Sequence, residues 1–234
     1  MFDLNTSTPF TKAPQALGRL ATVALATLVL LAAGSAQAQL DPSAGPCGNP
    51  FQNHFGPFDY RSAAKSDVKL VENVHFTPGV QSLTRPGTTT FERMAGDVGY
   101  TLHVFPNHHR ALVVMGRLAE RHKMDQPPGA SYTLECYFHR AVRFRPDDTV
   151  ARALYAQFLG KKGRKPEAVA QLKVADEFAK DNPLSHFNIG LLFMELGEFD
   201  LALTQAHKVK ALGYDRPQLE QALRQAGKWR DPTP

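Results

Sequence analysis

The sequence predicts an all-α fold built from internal repeats and preceded by an irregular segment. Three observations carry that expectation. From about residue 91, apolar residues recur at spacings of three and four, while glycine and proline retreat to punctuation. In the same stretch, small and apolar positions share a period of 34: Ala141, Ala175 and Val209; Leu134, Ala168 and Ala202; Phe138, Leu172 and Ala206; Ala156 and Gly190. Upstream, residues 39–90 are rich in Pro, Gly, Ser and Thr and show almost no helical period.

The first element is a leader. Lys12 and Arg19 give a positive flank, Leu20 to Ala33 form a nearly continuous apolar run, and Ala36 and Ala38 stand in an A-x-A arrangement. Residues 1–38 therefore read as a secretory signal peptide cleaved after Ala38. The run is shorter than the roughly 20 residues that span a bilayer as a helix; the other reading is an uncleaved anchor. No Cys follows it directly, which argues against a lipoprotein. The expected location is the bacterial periplasm or the exterior. Export bears on Cys47 and Cys136, because two thiols in an oxidising compartment usually pair. A bridge closing so long a loop stabilises by about 4–5 kcal/mol in the chain-entropy model; the alternative is a buried Cys136 and a free Cys47. No C-x-x-C or C-x-x-C-H occurs, so haem attachment and paired-cysteine zinc or redox sites are not expected.

The segment 39–90 carries Phe51, Phe55, Phe58 and Tyr60 between turn residues and is expected to pack by its aromatics. Within it, AAKSDVKLVENVHF can form a short helix, and TPGVQSLTRPGTTT reads as loop.

Beyond it, ALYAQFLGKKGRKPEAVAQLKVA and NIGLLFMELGEFDLALTQAHKV carry the clearest repeat. Ala156 and Gly190 share one small position, and Ala168 and Ala202 share another. This pattern resembles the tetratricopeptide repeat (TPR) family. The resemblance covers residues 91–229 and implies a short TPR α-solenoid of antiparallel helix pairs, with residues 39–90 outside it. It divides the chain into a half-repeat at 91–106, repeats at about 107–148, 149–183 and 184–214, and a capping helix at 215–229. Gly116, Ala156 and Gly190 would sit where helices cross, and Pro106, Pro146 and Pro183 would end second helices. The stretch 122–130 is longer than the repeat needs, and the usual aromatic near the start of the first helix is missing from both full repeats. Asp215 is expected to cap the last helix, Pro217 to lie in its first turn and Gly227 to follow its end.

The run YTLHVFPNHHRALVV places His103, His108 and His109 around one turn. Asn107 can cap the next helix through its side-chain oxygen. His108 and His109 then fall in its first turn, about 100° apart, and cannot share one ion as residues at i and i+4 can. They read as polar, partly exposed turn residues. The alternative brings His103 and one of the pair together with His54 or His75 to hold zinc or copper, or to act as acid and base. No H-E-x-x-H, G-x-S-x-G, phosphate-loop or G-x-G-x-x-G pattern occurs. Asp147, Asp148, Glu195 and Glu198 read as solvated charges. No enzyme activity, cofactor or resident metal is expected.

The net charge of +5, from 27 Lys+Arg against 22 Asp+Glu, is spread along the chain, and nucleic-acid binding is not expected. The family resemblance implies a concave face lined by the first helix of each repeat. In its register the groove holds Arg110, Val113, Arg117 and Arg121, then Val150, Ala153, Gln157 and Lys161, then Phe187, Asn188, Leu191 and Glu195. Arg117 and Arg121 stand one turn apart, as a fork for a carboxylate would; Phe187 and Leu191 would take an apolar side chain. The other reading makes the arginines a solvated face and Phe187 inter-helix core. The expected function is a periplasmic scaffold or adaptor that docks a protein or peptide partner, acidic or carrying a free C-terminus, in this groove. The alternative is a histidine-dependent metal-binding or accessory enzymatic envelope protein. The N-terminal segment is a further candidate occupant of the groove.

Overall fold

Capping residues set where helices begin. Thr90, Thr133, Asp148 and Asn182 each accept a backbone N–H from the first turn that follows, at 3.0–3.2 Å. The computed structural model describes residues 45–84 and 89–232, all within the unit Leu40–Pro234. Residues 1–38, read above as a leader, lie outside the described residues.

Among the described residues the chain is all-helical. The N-terminal segment contributes α1 (Lys65–His75) and α2 (Pro78–Ser82). Then come α3 (Phe91–Val104), α4 (His109–His122), α5 (Leu134–Phe144), α6 (Thr149–Lys161) and α7 (Lys165–Ala179). The last three are α8 (Pro183–Glu195), α9 (Phe199–Ala211) and α10 (Gln218–Gln225). No helix among the described residues is long and apolar enough to cross a membrane.

From α3 onward each helix packs on the next, most extensively α6 on α7 and α8 on α9. Each of these pairs is joined by a three-residue turn, with Gly163 or Gly197 at positive φ, so the second helix runs back along the first. Alternate helices also touch: α2 with α4, α4 with α6, α6 with α8, and α8 with α10. The period-34 positions are all buried. Ala141, Ala168, Ala175 and Ala202 are fully buried, and Ala156 nearly so. A Cβ on Gly190 would collide with a Leu219 methyl of α10 and stand 3.1 Å from Gln205 Cβ, so a larger residue there requires Leu219 to move.

A second, smaller apolar cluster joins the N-terminal segment to the end of α3. Phe55, Phe58, Tyr60 and Val68 pack around Val71, Val104 and Phe105. The aromatic packing expected of this segment is present, though Phe51 lies half exposed against Phe144.

Four local expectations are corrected. The stretch read as loop contains α2, opened by Thr77 and Pro78, and this five-residue helix stands beside α4 where α4 stands beside α6. Pro183 does not end α7, which stops at Ala179; it opens α8 as the first residue after Asn182. Asp215 does not cap α10, whose N-cap position is Pro217. The cap of α4 is His108 rather than Asn107: its ring Nδ1 accepts the Ala111 N–H at 3.1 Å. The extra residues between α4 and α5 fold against α3, where Gly129 passes so close to the Glu92 carbonyl that a Cβ would clash.

Candidate functional site

Two places gather the residues singled out by the sequence. The first is the junction between the N-terminal segment and the turns before α4 and α6. Asn107, fully buried, donates through Nδ2 to Asp59 at 2.7 Å and to Asp148 at 2.8 Å. Its Oδ1 accepts the Tyr60 N–H at 3.0 Å. Asp148 caps α6 and holds His109 Nε2 at 2.8–2.9 Å from both its oxygens. Arg145 and Arg61 close on Asp59 at 2.8 and 2.7 Å, and Arg61 reaches Asp147 at 2.9 Å.

This geometry corrects two readings. Asp148 is not a solvated charge; it is fully buried. Burial pushes its carboxyl up, but the hydrogen bonds from His109, the Ala151 N–H and Asn107 outweigh that and hold it below the usual carboxylate range. The Asp59 carboxyl is likewise pulled well down: burial raises it, and Arg61 and Asn107 lower it by more. Nor is His108 partly exposed. It is fully buried, stacked on Tyr60 at 3.9 Å between ring centroids, with Nε2 3.0 Å from Glu72. Burial lowers its pKa to about 4, against the opposing pull of Glu72, so the ring is neutral at pH 7.

The histidines do not converge. His108 turns to Glu72, His109 to Asp148, and His75 to Asp97 at 2.8 Å. His103 lies on Tyr132, and His54 on Tyr100. Among the described residues no three His, Cys, Asp or Glu side chains are grouped to hold a metal ion. The junction binds the chain to itself.

The second place is the face where α4, α6 and α8 stand side by side. Adjoining clefts run along it. One lies between α4, α5 and α6, with Val113, Arg117, Gln157 and Lys161 on its walls and Leu112, Leu134, Phe138 and Leu154 beneath. The next, of about 270 Å³, lies between α6 and α8 and carries Val150, Ala153, Gln157, Asn188, Leu191 and Glu195. Gln157 belongs to both. Val150, which lines the second cleft, and Leu184, its equivalent 34 residues on, are both exposed.

Three expected groove residues stand elsewhere. Arg110 is tied to the N-terminal segment, donating to Glu72 at 2.6 Å and Gln81 at 3.0 Å. Arg121 lies 4.0 Å over the Phe91 ring of α3, so it forms no fork with Arg117. Phe187 is buried in the core, edge-on to Tyr214. Leu154, Ile189 and Leu192, which the sequence reading did not single out, form part of the cleft floor. A shift of one residue along a helix turns a side chain by about 100°, enough to exchange floor and wall. Among the described residues, none of 45–84 lines these clefts.

Cys47 and Cys136 form a disulfide that closes 89 residues and ties the N-terminal segment to α5. No protein-family model matches the chain, and no curated protein matches it.

Proposed function

We propose that this chain is an exported TPR-type scaffold whose α4–α6–α8 face docks an extended protein or peptide segment. The observation that carries the reading is the row of first helices, each touching the next, with adjoining clefts left open along it. The walls supply Gln157 and Asn188 to hydrogen-bond a peptide backbone, and the floor supplies leucines for its side chains. Arg117 offers a cation at one end and Glu195 an anion at the other, which suits a segment acidic at the α4 end. The Cys47–Cys136 bridge and the leader pattern both support an oxidising compartment, the periplasm or the exterior.

A random-peptide display screen against the purified chain tests this. The expected result is a family of peptides whose binding falls about tenfold or more with Leu191→Asp or Arg117→Glu, while Arg121→Glu, outside the clefts, leaves it unchanged. No enrichment, or enrichment indifferent to Leu191 and Arg117, overturns the reading.

A further inference from the structure

Arg140 of α5 is 3% exposed, yet it makes no ion pair among the described residues. Its guanidinium lies 4.8 Å over the Tyr132 ring, and Nη1 donates to the Cys47 carbonyl at 3.0 Å. Its Nε is buried with no hydrogen-bond partner. His103 meets the same tyrosine edge-on at 5.6 Å, and its Nε2 is also buried without a partner. A buried donor left unpaired keeps the full penalty of lost hydration, and a charged one more so.

What keeps water out is the stretch around Cys47 and Gly48. A Cβ on Gly48 would run into the Tyr132 hydroxyl and stand 3.2 Å from Arg140 Nη1. That cover is fastened by the disulfide itself, because Cys136 lies four residues before Arg140 on one face of α5. Both cysteines are partly exposed, so a reductant can reach them. Beyond the cover, the chain is fastened again at Asp59 and Tyr60 through Asn107.

We propose that residues 45–52 form a reduction-released strap. Closed, it buries Arg140 without a full set of partners, and the Cys47–Cys136 bond holds it there. Broken, it lets the guanidinium regain water and bares a cationic, aromatic patch on α5. The step balances with a dithiol reductant. The dithiol passes two electrons and two protons to the bridge, yielding two cysteine thiols and the reductant's own disulfide. Asp59 and Tyr60 stay in place, so the opening is local. The proposal does not depend on the groove reading.

The test compares the oxidised chain with the chain treated with dithiothreitol, both mapped by hydrogen exchange and by phenylglyoxal modification of arginine. Reduction is expected to speed exchange over 47–52 and modification of Arg140 by about tenfold or more, with backbone hydrogen exchange in α4–α9 unchanged. Arg140→Met removes the buried charge, and in that variant reduction is expected to leave 47–52 protected. If Arg140 stays protected once two free thiols are titrated, or α3–α5 unfolds with the strap, the proposal fails. It fails too if the reduced Arg140→Met chain opens as readily as the parent.

Discussion

His108 does two jobs that pull in the same direction: its Nδ1 caps α4, and its ring fills the space between Tyr60, Phe76 and Phe105. Both require a neutral imidazole. The folded pKa lies at about 4, below the ordinary value near 6.5. Its contribution is therefore complete above about pH 6.5 and is lost as the pH falls toward 4. Urea unfolding at pH 7 and pH 5 should show a drop of about 2 kcal/mol attributable to this residue, and His108→Asn, which keeps a capping side chain, should remove that part of the drop. None of this was legible locally. The sequence shows two histidines at a helix start; what buries the first is a tyrosine 48 residues upstream. Asp148 was misread for the same reason, since an N-cap aspartate looks solvated until Asn107 and His109 are brought to it.

At the scale of the element, the periodicity was readable because the small residues that recur in it are the ones the helices bury. Gly190 shows how tight the tolerance is. Gly190→Ala should destabilise by about 1–3 kcal/mol through overpacking, measured by thermal or urea unfolding, and Leu219→Ala in the same chain should recover part of the loss because Leu219 is the atom group in the way. Other elements were hidden. α2 has five residues, begins Pro-Gly and lies among turn formers, so its composition states loop. Its place is set by contact with α3 and α4. Pro183 was assigned to the wrong helix because a proline one residue inside a start and one just past an end carry the same local signal. The cleft residues were half legible: the face was right for Gln157, Asn188 and Leu191, whereas Arg121 turns back onto Phe91.

The whole molecule closes its two ends by different means. At the N-terminal end, α1, α2 and the aromatic segment cover the first helices, secured by a covalent bridge and a buried polar network. At the other end the cover is a single short helix, α10, whose Leu219 and Leu223 are buried against α8 and α9. A chain cut after Tyr214 would lose that helix and bare one apolar face on α8 and α9. Two cut chains would meet face to face through these identical patches, and the twofold contact would cover the newly bared face on each. Sedimentation of the truncated chain should find a species of twice the monomer mass and no larger series. Loss of the capping helix is thus expected to join cut chains in pairs through α8 and α9 rather than in a fibre.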